Sequence, residues 1–87
     1  MTEQDRQSAI AMALGYWLPT HWENSGSWYK LVGYEFTGDI DSGGVDVTVE
    51  KDGAASAVVS FTNDDCYGGS ILTASAAKSA VYGGTYS

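Results

Sequence analysis

Apolar residues near the N-terminus recur with the spacing of a helix. Thr2 can cap the first turn, and Gly15 can end the helix in a left-handed turn before Pro19. Four apolar positions follow one another at i, i+3, i+4 and i+7, which predicts an N-terminal helix with one apolar stripe. The residues of this stripe are Ile10, Ala13, Leu14 and Trp17.

The next segment changes from turn formers to aromatic and β-branched residues. Residues 19–27 predict a loop, because Asn24, Ser25 and Gly26 all favour turns. Residues 28–36, WYKLVGYEF, predict a strand with apolar side chains on both sides, which is typical of a central strand. One side would carry Trp28, Val32, Tyr34 and Phe36, the other Tyr29, Leu31 and Glu35, with Gly33 as a candidate bulge.

Strict alternation of valine with polar residues predicts a second strand over residues 45–50. The three valines of this segment would face the core. The opposite face of the strand would therefore be polar and open to solvent or to a partner. Its residues are Asp46, Thr48 and Glu50.

A hairpin follows this strand, because Asp52 and Gly53 form a strong turn signal. Two registers compete. A two-residue loop would pair Val49 with Ser56, whereas a three-residue loop ending at Gly53 would pair Val49 with Ala55. We expect the second register, with Gly53 left-handed, because it keeps every apolar residue on one face.

The C-terminal part is rich in alanine, which favours a helix over a strand. Residues 62–65 break the preceding strand, and a helix is predicted from Ser70 to Val81, with Gly83 and Gly84 ending it. The assembled expectation is a single α+β domain over residues 1–87. Its order is α-β-β-β-α, a three-stranded antiparallel sheet with the N- and C-terminal helices packed on one face.

Residues 15–30 contain all three tryptophans, the only proline and the only histidine. In a chain this short, a few buried aromatic side chains can replace many aliphatic ones, so most of this segment is expected in the core. We expect Trp17 and Trp28 between the layers. We expect Tyr16, Trp22 and Tyr29 on the outside.

The net charge of −7 is concentrated in the middle of the chain. Eight acidic residues and a single base, Lys51, lie between Glu35 and Asp65. Affinity for phosphates depends on Lys and Arg, so direct binding of nucleic acid is not expected. A partner with a basic surface is favoured instead, although the same charge also keeps small domains apart in solution.

Residues 39–50, DIDSGGVDVTVE, resemble a calcium loop in the placement of Asp39, Asp41, Gly44 and Glu50. Four departures argue against this interpretation. Position 5 lacks a ligand side chain, position 8 should be apolar and is Asp46, position 9 offers no oxygen, and the flanking segments are predicted strands and not helices. The main expectation is a polar turn between strands, and a looser cation site at Asp39 and Asp41 is the alternative.

No catalytic motif emerges from the chain. It has one histidine and one cysteine, which excludes a zinc site, and Asp64 and Asp65 disfavour a thiolate at Cys66. Neither glycine-rich phosphate motif occurs. We therefore expect no enzyme activity and no cofactor. The N-terminus lacks the pattern of a signal peptide and no long apolar run occurs, so we expect a cytoplasmic protein without membrane contact.

These observations predict a non-enzymatic interaction protein that binds a basic surface of a protein partner, which includes the case of a nucleic-acid-binding complex. In size, acidity and lack of catalytic motifs, the chain is similar to the short inhibitors that phages encode against bacterial defence, such as anti-CRISPR proteins. This resemblance covers no motif, and it implies inhibition by charge mimicry or steric block. The alternatives are a small structural or homo-oligomeric subunit and a weak cation-binding module at Asp39–Glu50. The expected partner-binding residues are Asp39, Asp41, Asp46, Glu50, Asp52, Trp22, Tyr29 and Tyr34.

Overall fold

The computed structural model describes residues 2–15, 21–67 and 75–87. The described elements form one antiparallel sheet, in the strand order β1-β2-β3-β4, together with helices. The α+β class and the antiparallel sheet are confirmed, whereas the expected three strands are corrected to four in the described part of the chain. The elements are α1 (Glu3–Gly15), β1 (His21–Asn24), β2 (Ser27–Thr37), β3 (Gly44–Lys51), β4 (Ala55–Thr62), α2 (Asn63–Tyr67) and α3 (Ser75–Tyr82).

The additional strand, β1, lies where the sequence predicts a loop. It pairs with the start of β2, and the pair Asn24–Ser27 leaves a two-residue turn. Ser25 and Gly26 in this turn have φ angles of 54° and 86°, the left-handed conformation that a tight hairpin turn favours. The turn formers therefore belong to a hairpin. The polar residues of β1 are held in a strand by pairing with β2, which outweighs their low strand propensity.

A β-bulge at Val32 interrupts the alternation of β2. Leu31 pairs with Val49, and the next paired residue of β2 is Gly33, opposite Thr48. One extra residue reverses which side chains point inward. The inward residues on either side of the bulge are Tyr29, Leu31, Tyr34 and Phe36, each opposite an inward residue of β3.

The bulge corrects the expected positions of two neighbouring aromatic residues. Trp28 points away from the core and is 57% exposed, although the sequence places it between the layers. Tyr29 is 5% exposed, although the sequence places it outside. Both expectations are wrong for the same reason, because they extend one alternation along the whole of β2.

The valine hairpin of β3 and β4 keeps its predicted faces and changes its predicted register. The three valines of β3 are fully buried. Val49 pairs with Ala57 and not with Ala55, so the three-residue loop is Asp52–Ala54, one residue later than expected. Gly53 is left-handed, with φ of 77°, as predicted. A shift by two residues preserves the alternation, so the inward side of β4 is unchanged.

The N-terminal helix α1 begins as predicted. The Thr2 hydroxyl accepts a hydrogen bond from the Asp5 N–H at 3.1 Å, and the Asp5 carboxylate accepts one from the Thr2 N–H at 3.0 Å. This reciprocal pair satisfies backbone donors that the first turn leaves open. The described stripe residues Ile10, Ala13 and Leu14 are fully buried, and Trp17 lies outside the described residues.

The C-terminal helix α3 ends at the glycines that the sequence predicts. The N–H groups of Gly83 and Gly84 donate to the carbonyl oxygens of Ser79 and Val81, at 3.0 and 3.1 Å. Val81 is buried in the same core cluster as α1 and β3. The predicted N-cap of this helix, Ser70, lies outside the described residues.

Four aromatic side chains form a cluster on the inner side of the sheet. Tyr29 lies at its centre, with ring centroids 5.8 Å from Trp22, 5.0 Å from Tyr82 and 6.0 Å from Tyr86. Burial, together with Tyr29 and Tyr82, raises the pKa of Tyr86 to about 12. This aromatic cluster accounts for a large share of the side-chain area that so small a domain can bury.

Arg6 is a buried cation, with only 1% of its surface exposed. Its guanidinium donates to the carbonyl oxygens of Thr37 and Gly44, at 3.1 and 3.4 Å, and to Asn63 Oδ1 at 2.9 Å. It also forms an ion pair with Glu3 at 2.7 Å. The side chain therefore ties α1 to β2, β3 and α2.

Asn63 extends this Arg6 network into the loop between β2 and β3. Its amide donates to the carbonyl oxygens of Asp39 and Ile40, at 2.8 and 3.3 Å, and its backbone N–H donates to Gly43 O at 2.9 Å. Asn63 is 5% exposed. The loop is thus held by buried polar groups, which are strong constraints when they are satisfied.

Candidate protein-binding surface

The side of the sheet opposite the helices and the aromatic cluster is the outer face. Alternation along the strands and the strand register place its side chains together. Polar and acidic residues dominate it, with a few exposed apolar ones. The residues of the outer face are His21, Glu23, Trp28, Lys30, Glu35, Asp46, Thr48, Glu50, Ser56, Val58 and Ser60.

Acidic side chains lie in the middle of the outer face. Glu35 stands directly opposite Asp46, which also accepts a hydrogen bond from the Ser60 hydroxyl at 2.6 Å. Glu50 stands opposite Lys30. Among the described residues, the ion pair within 4 Å is the one between Arg6 and Glu3, away from this face. Among the described residues, no ion pair within 4 Å therefore involves the carboxylates of the outer face, and Lys30 is the base that lies among them.

Glu35→Lys should raise the free energy of unfolding by about 0.2–1 kcal/mol, because like charges directly opposite each other destabilise a sheet and an opposite charge stabilises it. Urea unfolding at low ionic strength measures the change. Asp64→Lys makes the same change in net charge on α2, away from the outer face, and should not raise stability, because a lysine in the first turn of a helix opposes the helix dipole. Equal effects of the two substitutions would mean that Glu35 and Asp46 do not repel each other locally.

Exposed apolar side chains accompany these acids. Val58 of β4 is 62% exposed, Trp28 is 57% exposed, and Val32 at the bulge is 46% exposed. An aromatic residue and aliphatic residues within a polar, charged surround resemble the composition of protein interfaces. The outer face is therefore the candidate binding surface among the described residues.

The backbone of Trp28 is held by Asp52, although the side chain is exposed. Its backbone N–H donates to the Asp52 carboxylate at 2.9 Å, and its carbonyl oxygen accepts from the Asp52 N–H at 2.7 Å. Asp52, which the sequence predicts as a partner-binding residue, thus fixes the strand that presents Trp28. A strand that is already fixed adds little ordering cost when the side chain that it carries is bound.

The predicted acidic residues lie in three places along β3. Asp46 and Glu50 are on the outer face, and Asp52 follows the end of the strand. Asp39 and Asp41 are in the loop that precedes the strand, at the opposite end from Asp52. The predicted set is therefore not one continuous patch.

Asp39 uses its carboxylate within its own loop. It accepts hydrogen bonds from the N–H groups of Asp41 and Ser42, at 2.9 and 3.0 Å, and these hold its pKa below the ordinary value. Such a side chain stabilises a turn. Asp41 is exposed beside it.

The three predicted aromatic anchors do not lie on the outer face. Tyr29 is buried, and Trp22 is half-buried against it in the aromatic cluster. Tyr34 is 37% exposed but points to the inner side, where its ring packs against Phe36 at 5.5 Å. Trp28 is the aromatic residue that the sequence analysis missed, and Gly33 as a marker of the bulge was the signal that could have found it.

Close backbone packing explains the glycines of the calcium-like segment. A Cβ atom at Gly43 would collide with the carbonyl oxygens of Thr37 and Asp39, and one at Gly44 with the carbonyl oxygen of Phe61. These glycines are therefore required without any metal. Over the ranges that the structure describes, no group of three or more His, Cys, Asp or Glu side chains is placed to hold a metal ion.

The lone thiol and the lone imidazole lie in different environments. Cys66 is fully buried in α2, within the core cluster, and burial together with Asp65 raises its pKa to about 11. His21 is exposed on β1. A thiol with a raised pKa is a poor nucleophile at neutral pH.

None of the helices within the described ranges is both long and apolar enough to span a bilayer. No protein family model matches the chain, and no curated protein or solved structure is significantly similar to it.

Proposed function

We propose that this protein is a non-enzymatic interaction module that binds a basic surface of a partner protein through its outer face. The supporting observation is that Trp28 and Val58, each more than half exposed, share this face with the carboxylates of Glu35, Asp46 and Glu50. In the described part of the chain, no cation within 4 Å pairs with these carboxylates.

The two kinds of side chain have different roles in the proposed complex. Trp28 and Val58 supply apolar area, and buried tryptophans often carry much of the binding energy of an interface. The carboxylates attract and orient a basic partner, which raises the association rate more than it slows dissociation. The complex should therefore form more slowly at high ionic strength.

The effect of Glu35 and Asp46 on stability supports the same proposal, because these two residues lie opposite each other. A pair of like charges on neighbouring strands destabilises the isolated domain. Residues that cost stability are frequently those that a function requires. A basic partner would remove the repulsion on binding.

The partner class that we propose is a protein whose basic surface normally holds nucleic acid. In that case, the carboxylates would take the place of phosphates, and the module would inhibit by charge mimicry or steric block, as a phage-type inhibitor acting in the cytoplasm. Arg and Lys side chains that recognise phosphate oxygens also bind carboxylates.

Asp46→Lys/Glu50→Lys should abolish capture of basic proteins from a host lysate, because it reverses the charge of the outer face. Asp41→Lys/Asp64→Lys carries the same change in net charge outside this face and serves as the matched control. Captured proteins are compared at low and at high salt, since exposed charges are screened at high ionic strength.

The proposal requires that the control variant retains the captured partner and that the outer-face variant loses it. Equal loss of the captured partner in both variants would mean that capture depends only on the net charge of the protein. A partner that binds both variants like the wild type would place the interface elsewhere. Light scattering of the isolated protein then tests the homo-oligomeric alternative.

A further inference from the structure

We infer that the outer face receives an arginine side chain of its partner at Trp28, between the carboxylates of Glu23 and Asp52. This inference rests on the proposed function and names the chemistry that the partner must present. Three elements contribute to the site, namely β1, β2 and the loop between β3 and β4. We call Trp28, Glu23 and Asp52 the Trp28 site.

Glu23 reaches the Trp28 site from β1. It is the register partner of Trp28, so the two side chains share the outer face as direct cross-strand neighbours. One oxygen of its carboxylate accepts the Gly26 N–H at 2.9 Å, which fixes the side chain at the turn. The other oxygen has no hydrogen-bond partner among the described residues.

Asp52 reaches the site from the opposite side, at the end of β3. One oxygen of its carboxylate accepts the Trp28 N–H at 2.9 Å. The other oxygen again has no hydrogen-bond partner among the described residues. Two fixed and exposed carboxylates, each with an available oxygen, therefore lie at the strand position that displays the indole.

A guanidinium group matches this combination better than an ammonium group does. Its planar face stacks on an indole ring, and its N–H donors form a fork that suits carboxylate oxygens. Lysine offers a compact, strongly hydrated charge without this planar fork. The site should therefore discriminate between the two basic side chains, whereas the acidic outer face alone would not.

Neighbouring charges leave this end of the outer face negative. Lys30 lies two residues from Trp28 on the same face, with His21 and Glu50 as its neighbours on the flanking strands. Lys51, although adjacent to Asp52 in sequence, points inward, with its ammonium 5.4 Å from the Tyr86 ring centroid. A single lysine thus stands against three carboxylates, those of Glu23, Glu50 and Asp52.

The test is an NMR titration of the protein with two peptides of equal length, one carrying arginines and the other lysines at the same positions. The arginine peptide should bind more tightly, by up to about fivefold, because both cations are attracted to the indole face but only the planar guanidinium stacks on it and forks onto the carboxylates. It should also shift the Trp28 indole N–H resonance. Trp28→Leu should abolish the preference for arginine while the fold, monitored by the remaining amide resonances, is retained.

Two variants that each remove one negative charge distinguish an effect of the Trp28 site from an effect of the overall charge of the outer face. Asp52→Asn retains an acceptor for the Trp28 N–H and removes a charge at the site, so it should reduce the preference for arginine. Glu35→Gln removes the same charge far along β2 and should leave the preference unchanged. Equal binding of the two peptides, an arginine preference that survives Trp28→Leu, or no binding of the arginine peptide would each overturn the inference.

These outcomes are distinct from failure of the proposed function. Equal, salt-sensitive binding of both peptides would remove the arginine site and leave an acidic docking face. The proposed function itself would be wrong if Asp46→Lys/Glu50→Lys and Asp41→Lys/Asp64→Lys captured the partner from a lysate equally well.

Discussion

Arg6→Met should lower the free energy of unfolding by about 3–5 kcal/mol, because it leaves several acceptors of a buried polar network without their donor. The substitution leaves the oxygens of Thr37, Gly44 and Asn63 without the hydrogen bonds that Arg6 donates. Each buried polar group left unsatisfied costs about 1–3 kcal/mol. Methionine retains much of the apolar stem, so the loss reports mainly the polar interactions. Urea unfolding measures the change.

Two further variants distinguish the buried network from the exposed ion pair. Glu3→Gln removes the negative charge that pairs with Arg6 but keeps an oxygen that can accept from the guanidinium, so it should cost less stability than Arg6→Met. Arg6→Lys keeps the charge and loses the fork geometry, so its stability should lie between those of the wild type and Arg6→Met. A fully stable Arg6→Met variant would show that the network contributes no net stability.

The sequence contained a sign of this network that hydrophobic periodicity alone does not reveal. Arg6 stands four residues before Ile10, so it lies on the same helical face as the apolar stripe of α1. A charged residue on a buried face requires partners, and Asn63 supplies one from α2. Partners that are 57 residues apart in sequence are not predictable from local pattern.

The elements with strong periodicity were predictable, and the element fixed by pairing was not. The stripe of α1 and the valine alternation of β3 each follow from burial on one face. The strand β1 has polar residues and little periodicity, and it exists because β2 pairs with it. The observed register of β3 and β4 differs from the predicted register by two residues. The reason is that the left-handed residues Asp52 and Gly53 begin the loop, whereas the prediction placed Gly53 at its end.

The acidic residues of the candidate surface were more predictable from the sequence than its exposed tryptophan. Asp46 and Glu50 are placed by the strict alternation of β3, in which no bulge intervenes. The exposure of Trp28 depends on the bulge at Val32, which reverses the alternation within β2. A single extra residue thus moves a tryptophan from the expected core to the proposed interface.

Tyr29→Ala and Trp28→Ala should have opposite consequences, although the two residues are adjacent and both aromatic. Tyr29 lies at the centre of the aromatic cluster, with Trp22, Tyr82 and Tyr86 around it. Removing a buried aromatic ring costs about 3–5 kcal/mol, because the surrounding side chains cannot fill the cavity. Trp28 is 57% exposed, so Trp28→Ala should lower the free energy of unfolding by about 1 kcal/mol, through the lower strand propensity of alanine.

Partner binding should depend on Trp28 and not on the side chain of Tyr29, as long as the variants remain folded. Trp28→Ala removes the proposed anchor and should abolish capture of the partner, whereas Tyr29→Phe, which retains the buried ring, should preserve both stability and capture. Urea unfolding and lysate capture measured on the same preparations provide the comparison. Two results would contradict the assignment of Tyr29 to the core and Trp28 to the interface. One is a large loss of stability in Trp28→Ala, and the other is unchanged capture of the partner by this variant.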